Sequence, residues 1–184
     1  MIELWLVRHG ETEWSRSGRH TGATDLPLTE AGEQSARDLA RRLSGTRFDD
    51  VLTSPLQRAA HTAELVGFGD ARHDPRLVEW DYGDYEGMTT PEIRETEPEW
   101  TVWTHGARGG ETVEQMSARM DAVLADVPCD GRALIVSHGH TLRALTARWL
   151  GLAVSQGRLI KLDTATVSVL GHEREVPVIL RWNC

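Results

Sequence analysis

The sequence contains almost no lysine. Lys161 is the only lysine among 20 basic residues, and the others are all arginine. A nucleotide-binding P-loop needs a Gly-Lys-Ser/Thr sequence, and Lys161 follows Ile160, so that motif is excluded. Any phosphate chemistry in this chain must therefore rest on arginine, histidine and backbone N–H groups.

Cysteine and long apolar runs are also scarce. The two cysteines, Cys129 and Cys184, cannot build a disulfide framework. Cysteine-based phosphatase chemistry needs an arginine six positions after the cysteine, and counting on from Cys129 gives Ile135. No apolar run approaches the ~20 residues of a membrane span, and Met1-Ile2-Glu3 lacks the basic region of a secretory signal. We expect a reduced, cytoplasmic protein with no membrane partner.

Acidic residues outnumber basic ones. The net charge of −8 disfavours nucleic acid and anionic membrane surfaces as partners, because both need a basic footprint. It also means that an anionic ligand would have to be attracted by a local pocket. At 184 residues the chain predicts one domain, residues 1–184.

Short apolar runs alternate with helical patterns along the chain. Strands are predicted at Ile2–Val7, Val51–Thr53 and Ala133–Val136, and the final strands at 158–170 and 176–182. Helices are predicted between them at Thr29–Leu43, from Ser54, from Thr112 to about Asp126, and from Thr141 to Leu150. This alternation predicts an α/β three-layer sandwich with a mostly parallel central sheet and helices on both faces.

Two of these helices carry a sequence signal for their first turn. Ser54 with Gln57, and Thr112 with Gln115, have the spacing of a capping box. Pro55 stands at the favoured first position of the helix that Ser54 is predicted to cap.

One local pattern occurs twice. Leu6–Gly10 and Ile135–Gly139 each consist of a buried strand followed by His-Gly and a polar turn. Ligands of open α/β sheets bind outside the carboxyl ends of strands, so His9 and His138 are candidate site residues. A neutral imidazole is a good nucleophile toward phosphorus, and the guanidinium of Arg8 would bind phosphate oxygens and disfavour imidazolium formation.

The motifs around these residues resemble those of the histidine phosphatase superfamily, which includes the phosphoglycerate mutases. The matching segments follow one another in the family's order and span about three-quarters of the chain: Leu6–Thr12, Gly18–Thr29, Thr53–Ala63, Leu77–Gly87, Gly110–Thr112 and Val136–His140.

The resemblance implies a catalytic role for five residues. His9 would be the nucleophile that becomes phosphohistidine. Arg8, Arg58 and His138 would surround the phosphoryl group, and Glu79 would be the general acid and then the general base. Two guanidiniums and a donating histidine would stabilise the phosphoryl oxygens without Mg²⁺, so no cofactor is expected.

Other residues are expected to bind the substrate. This set comprises Ser15, Thr21, Gly22, Trp80, Tyr82 and Gly139. Ser15 departs from the family, since many members have asparagine there. We also expect His20 and His105 at the pocket mouth and His140 near the substrate or behind it.

The proton on Glu79 makes the reaction sensitive to pH. Substrate phosphate raises the pKa of Glu79 while Arg8 and Arg58 lower it, and we expect the best activity on the acidic side of neutral. A catalytic metal is not expected, because no further ligand or carboxylate cluster accompanies His138 and His140 at helical spacing.

Three functions remain open from the sequence. The stretch between Glu79 and Val102 is short, and it has no lysine that could bind a substrate carboxylate as in the mutases. The segments Glu79–Gly87 and Trp100–Gly106 resemble those of a branch of acid phosphatases and sugar-bisphosphatases. We therefore expect a phosphatase for small sugar or glycolytic phosphates. A cofactor-dependent phosphoglycerate mutase and a non-catalytic binding module are the alternatives, and a homodimer is an expectation from the family alone.

Overall fold

The computed structural model describes all 184 residues, and its strands and helices alternate as the sequence predicts. The strands are β1 (Ile2–Arg8), β2 (Asp50–Thr53), β3 (Arg72–His73), β4 (Gly131–Ser137), β5 (Val167–Glu173) and β6 (Val176–Arg181). The helices are α1 (Glu13–Ser17), α2 (Glu30–Leu43), α3 (Gln57–Leu65), α4 (Thr90–Arg94), α5 (Val102–His105), α6 (Val113–Ala125) and α7 (Gly139–Trp149). Short 3₁₀ helices lie at Pro75–Leu77, Gly83–Tyr85 and Val154–Leu159. No helix is long and apolar enough to cross a membrane.

The six strands form one mixed sheet in the order β3-β2-β4-β1-β5-β6. The first four strands in this order run parallel to their neighbours, whereas β5 is antiparallel to β1 and β6 is antiparallel to β5. The expectation of a mostly parallel central sheet is confirmed. Strands β1 and β4 lie side by side in its centre, with Arg8 opposite Ser137 at their carboxyl ends.

Both faces of the sheet are covered, because side chains alternate across the continuously apolar strands β1 and β4. Leu4 and Leu6 contribute to one core cluster with residues of α6 and α7, including Met116 and Leu142. Trp5 and Val7 contribute to a second cluster that also holds Leu39 of α2 and Ala63 of α3. The sandwich of helices on both faces is therefore also as predicted.

The caps of α2 and α6 follow the sequence pattern. The Thr29 hydroxyl accepts a hydrogen bond from the Gly32 N–H at 3.0 Å and begins α2. Thr112 and Gln115 form the reciprocal capping box of α6, whose C-cap is Asp126.

The prediction that Ser54 caps α3 is wrong. The helix begins later, at Gln57, with Leu56 in the N-cap position and no hydrogen bond from its own side chain. The Gln57 N–H donates instead to the Asp25 carboxylate at 2.8 Å. Asp25 therefore supplies the acceptor from a distant loop, while the Ser54 hydroxyl is engaged with His138.

The prediction of a strand over 158–170 is also wrong, except for its last four residues, Val167–Leu170. Gly157 packs so closely on Trp103 that a Cβ there would lie 2.5 Å from the indole ring, and the chain coils into a 3₁₀ helix at this point. A left-handed residue, Ala165, follows with φ 52°, and β5 begins only at Val167.

The cap from Asp25 makes a prediction about stability. Asp25→Ala removes the acceptor for an N–H in the first turn of α3, and the free energy of unfolding should fall by about 1 kcal/mol. Urea unfolding of the variant and the parent measures this difference. Asp70→Ala, which removes an exposed aspartate beyond the other end of α3, is the control and should unfold like the parent. Equal unfolding midpoints for all three proteins would show that Asp25 does not cap the helix.

Candidate active site

The site lies where the two central strands end. His9 directly follows β1 and His138 directly follows β4, and the His9 N–H donates to the Ser137 carbonyl at 2.9 Å. The two imidazole rings are 5.1 Å apart between centroids. The parallel pairing of β1 and β4 thus brings together two histidines that are far apart in the chain.

The hydrogen bonding of His9 fixes its tautomer. Its Nδ1 is 2.7 Å from the carbonyl oxygen of Gly10, which can only accept, so Nδ1 carries the proton. Burial, and then the charges of Arg8 and Arg58, lower the pKa of His9 to about 3. The ring is therefore neutral at physiological pH, with the lone pair of Nε2 available as a nucleophile.

Arg8 is the guanidinium that faces the cavity. Its Nη1 donates to the Leu162 carbonyl at 2.6 Å, but its Nε is buried and has no partner in the protein. Gly139 lets the guanidinium lie against the start of α7, because a Cβ at that position would be 3.2 Å from Arg8 Cζ. An unpaired buried donor is costly, and a phosphate oxygen is an acceptor that would satisfy it.

Arg58 and His138 lie beneath the cavity and are completely buried. Arg58 Nε donates to His138 Nδ1 at 3.1 Å, and its Nη groups donate to the carbonyl oxygens of Thr21, Gly22 and Thr24. These four bonds leave one of the five guanidinium N–H groups without an acceptor.

The second nitrogen of His138 is also occupied. Because Nδ1 accepts from Arg58, the proton of the neutral ring is on Nε2, which donates to the Ser54 hydroxyl at 2.8 Å. Burial and the charge of Arg58 keep the pKa of His138 well below its ordinary value. Both nitrogens of His138 therefore have protein partners in this state.

Glu79 accepts hydrogen bonds at the N-terminus of α7. Its Oε1 accepts from the N–H groups of Trp80 and Thr141, each at 2.9 Å, and its Oε2 accepts from the N–H of His140 at 3.0 Å. Helix α7 starts at Gly139, two residues earlier than predicted, and its first turn supplies the N–H donors of His140 and Thr141. Burial alone raises the pKa of Glu79, but hydrogen bonding at His140, including the bond from its backbone N–H, brings it well below the ordinary value.

A small cavity of about 170 Å³ opens between these groups. The residues that line it are Arg8, His9, Ser15, Gly18, Arg19, His20, Thr21, Glu79, Tyr82 and His140. It therefore brings together the predicted residues His9, Arg8 and Glu79 with Ser15, Thr21 and Tyr82.

Three residues that the sequence assigned to substrate binding do not line the cavity. Trp80 is fully buried, and its indole N–H donates to the Glu111 carbonyl at 2.9 Å. Gly22 donates its N–H to the Glu86 carboxylate at 2.9 Å, and Gly139 packs against Arg8. All three support neighbouring groups: Trp80 holds Glu79 through its backbone, Gly22 holds Arg58, and Gly139 makes room for Arg8.

Ser15 and Thr21 line the cavity, but their hydroxyl groups are also used locally. The Ser15 hydroxyl accepts from the Thr12 N–H and donates to the Thr12 carbonyl, which caps α1. The Thr21 hydroxyl donates to the Arg19 carbonyl at 3.2 Å. Of the histidines expected near the mouth, His20 lines the cavity, whereas His105 is exposed elsewhere and its ring contacts Thr104.

Glu86 is a supporting residue that sequence reasoning missed. Its carboxylate accepts from the N–H groups of Gly22 and Thr24, two of the three residues whose carbonyl oxygens hold Arg58. Glu86 thereby fixes the loop that positions the buried guanidinium. It lies within the matched segment Leu77–Gly87, but the spacing alone does not indicate what its side chain contacts.

No group of three or more His, Cys, Asp and Glu side chains is arranged to hold a metal ion. His140 Nδ1 lies 3.8 Å from Glu79, but it bonds to the Tyr82 hydroxyl at 2.7 Å. The positive charge that faces the cavity therefore comes from arginine side chains.

The lowered pKa of His9 predicts how stability depends on pH. In the unfolded chain His9 has a pKa of about 6.5 and is protonated below that pH, whereas in the folded chain it stays neutral down to about pH 3. The free energy of unfolding should therefore be highest above pH 6.5 and fall on acidification. In His9→Gln the free energy of unfolding should fall less between pH 7.5 and pH 5, by up to the contribution of one bound proton. Urea unfolding at the two pH values measures this difference.

The control for this measurement is His105→Gln, which changes an exposed histidine outside the cavity. Its pH dependence should run parallel to that of the parent protein. Parallel curves for His9→Gln and the parent would contradict the burial of a neutral His9.

A family model for the histidine phosphatase superfamily (branch 1) matches residues 4–184. The chain is 43% identical over 178 residues to an acid phosphatase of Mycobacterium tuberculosis, covering 94% of this chain and 88% of that protein. It is 37% identical to sedoheptulose 1,7-bisphosphatase of Saccharomyces cerevisiae, covering 82% and 68% of the two chains.

Two further comparisons concern the mutase branch and the fold. A probable phosphoglycerate mutase of Cronobacter sakazakii is 34% identical, with 99% and 90% of the two chains covered. The solved structure of a Mycobacterium tuberculosis open reading frame superposes with a TM-score of 0.94 at 41% identity, covering 98% of this chain and 96% of that one. Because the family model matches nearly the whole of this chain, the chain belongs to branch 1 of the histidine phosphatase superfamily.

Proposed function

We propose that this protein is a metal-independent phosphomonoesterase that works through a phosphohistidine on His9. The observation that carries the proposal is the pairing, at one small cavity, of a neutral His9 with a free Nε2 and the guanidinium of Arg8, whose Nε has no partner in the protein. The family match and the relatives named as phosphatases support the more general conclusion that the protein is a phosphatase for small phosphorylated substrates.

In the first half-reaction, Nε2 of His9 forms a bond to phosphorus as the bond from phosphorus to the ester oxygen breaks. Arg8 binds the phosphoryl oxygens, and the buried charge of Arg58 lies beneath them. His138 positions Arg58 through the bond to Nε. In the second half-reaction the ionised Glu79 takes a proton from water as the water oxygen bonds to phosphorus, and the bond from phosphorus to Nε2 breaks, which releases inorganic phosphate and restores the neutral imidazole.

The ester oxygen needs a proton when it leaves, and Glu79 is the group that we propose to deliver it. Its lowered pKa means that Glu79 is ionised before substrate binds. A bound phosphate dianion repels this carboxylate, so substrate and Glu79 are expected to share one proton between them. The proton then enters with the substrate monoanion, whose second phosphate pKa is about 6.

The charge distribution favours hydrolysis over the mutase reaction. A mutase has to hold a substrate carboxylate with a second cation near the phosphate site. Lys161 is exposed and pairs with Asp163 at 2.9 Å, outside the cavity. Arg19 lines the cavity, but it donates to the Gly87 carbonyl and lies 3.5 Å from the Glu92 carboxylate.

The mutase remains the second candidate, because the relative from Cronobacter carries that name. An assay that follows exchange between 2- and 3-phosphoglycerate, beside one that follows phosphate release, separates the two activities. We propose in addition that the enzyme works in the cytoplasm, which its two exposed, unpaired cysteines support. A homodimer stays a prediction from the family.

The direct test of this function is His9→Gln. Without the nucleophile, release of phosphate from glycerol phosphate should fall by at least about a thousandfold. Rapid quenching at alkaline pH followed by mass spectrometry should find phosphate on His9 in the parent only. His105→Gln should keep the parent rate, and a His9→Gln variant that also kept it would disprove the mechanism.

The shared proton predicts a pH profile and a dependence on the leaving group. For an alkyl phosphate, kcat/KM should fall above about pH 6 as the shared proton is lost. Glu79→Gln should lower kcat/KM for alkyl phosphates by about 10²–10⁴-fold. It should spare p-nitrophenyl phosphate, whose leaving group needs no proton. A profile that rises steadily to alkaline pH, or an equal loss for both substrates, would remove Glu79 as the acid.

A further inference from the structure

One wall of the cavity is built from aromatic rings that the reaction described above does not use. The His20 ring lies 4.7 Å from the Tyr82 ring and 6.0 Å from the His140 ring, between centroids. The fully buried side of this wall is formed by Trp100 and Trp103, which pack on His20 and His140. These contacts fix the orientation of both imidazoles.

Tyr82 sets the tautomer of His140. The Tyr82 hydroxyl lies 2.7 Å from His140 Nδ1, and no other acceptor lies within hydrogen-bond distance of it. Burial raises the pKa of Tyr82 well above its ordinary value, so the phenol remains protonated and its O–H is available as a donor to Nδ1. With Nδ1 occupied as an acceptor, the proton of the neutral imidazole is on Nε2.

The Nε2–H of His140 is therefore free for a ligand. No protein group accepts from it, and the His140 side chain lines the cavity with 21% of its surface exposed. The same residue is adjacent to Glu79, the proposed proton donor, with 3.8 Å between His140 Nδ1 and Glu79 Oε2. A donor at this position is next to the place where the ester oxygen of a substrate would lie.

The wall is uncharged, which limits what it recognises. Burial lowers the pKa of His140, and it lowers the pKa of His20 to about 4. A neutral N–H donor suits a hydroxyl oxygen, whereas a second phosphate or a carboxylate would call for a cation.

We propose that His140, held by Tyr82, is a specificity-determining residue that donates its Nε2–H to a hydroxyl group on the carbon next to the ester carbon. The favoured substrates are then phosphomonoesters of vicinal diols, a class that includes polyol and sugar phosphates. This inference rests on the proposed phosphatase function, since it assumes that the ester oxygen lies beside Glu79.

A matched pair of ligands tests the proposal. Propane-1,2-diol 1-phosphate and propyl phosphate differ only in the vicinal hydroxyl. One net hydrogen bond changes an equilibrium by about tenfold, so the diol phosphate should bind about ten times more tightly. Calorimetry on His9→Gln, which cannot turn the ligands over, measures this ratio independently of catalysis. The corresponding ratio of kcat/KM is measured on the parent.

Two substitutions in the wall should remove the preference. His140→Phe keeps a ring against Trp103 but has no donor, so both ratios should fall to about one. His140→Gln restores an N–H at a similar reach and should restore most of the preference. Tyr82→Phe removes the hydroxyl that fixes the tautomer and should reduce the ratio. The controls are His105→Phe and Tyr85→Phe, because His105 is exposed and the Tyr85 hydroxyl bonds to Glu97 outside the cavity.

A spectroscopic signature distinguishes this role from a merely structural one. Nitrogen-15 NMR of the imidazoles should show His140 protonated on Nε2 in the parent and a mixture of tautomers in Tyr82→Phe. A parent that binds the two ligands equally, a ratio unchanged in His140→Phe, or a proton on Nδ1 of His140 would each overturn the proposal. If the parent protein released no phosphate from these esters but still bound the diol phosphate about ten times more tightly, the phosphatase function would be refuted. The recognition of the hydroxyl group by His140 would still hold.

Discussion

Arg58 carries a positive charge into a fully buried position, and most of the site is arranged around it. Burial is the main reason that its pKa is lowered, and four of its five N–H donors are satisfied by three carbonyl oxygens and one imidazole nitrogen. A buried charge without these partners would destabilise the fold by several kcal/mol. The loop after α1, the start of α3 and the residue before α7 are therefore held in register by one side chain.

The same arrangement sets the charge of the cavity. Arg8 and Arg58 are positive, Glu79 is negative, and burial keeps His9 and His138 neutral. The cavity thus offers a net positive charge to a phosphate although the whole chain has a net charge of −8. In a site of low dielectric a few fixed charges and donors outweigh the distant surface charge. The lack of lysine does not weaken phosphate binding at this site, since arginine is better suited to paired hydrogen bonds with phosphate oxygens.

The sequence predicts the parts of the molecule that depend on periodicity and on short-range patterns. The central strands β1 and β4 are continuous apolar runs, and α2 and α6 carry local caps, so their positions could be read from the chain. The cap of α3 could not, because its acceptor is Asp25, 32 positions away from Gln57. The predicted strand 158–170 begins only at Val167, after a 3₁₀ helix at Val154–Leu159 that packs on Trp103 through Gly157.

Some residues of the site could likewise be predicted from local sequence patterns, and others could not. His9 and His138 were predicted because they follow apolar strands that pair side by side, whereas the support from Glu86 depends on a folded loop that no spacing describes. Trp80, which the sequence assigned to substrate binding, does not line the cavity, because its indole is turned into the core and bonds to Glu111. Residue type and motif indicate which side chains gather at the site, but the direction of each side chain depends on tertiary packing.

The groups of the proposed chemistry and the groups of the cavity wall are only partly carried by different parts of the fold, because His140 of the wall lies in the turn of α7 that holds Glu79. His9 and His138 follow the central strands, and the N-terminal turn of α7 holds Glu79, so these groups are tied to the most buried part of the sheet. His20 and Tyr82 come from connecting segments, which meet only across the cavity. Connecting segments tolerate substitution more readily than packed strands. The groups proposed for the phosphate chemistry are therefore tied to the sheet, whereas the leaving group would face rings from connecting segments, of which Tyr82 is itself part of the buried core.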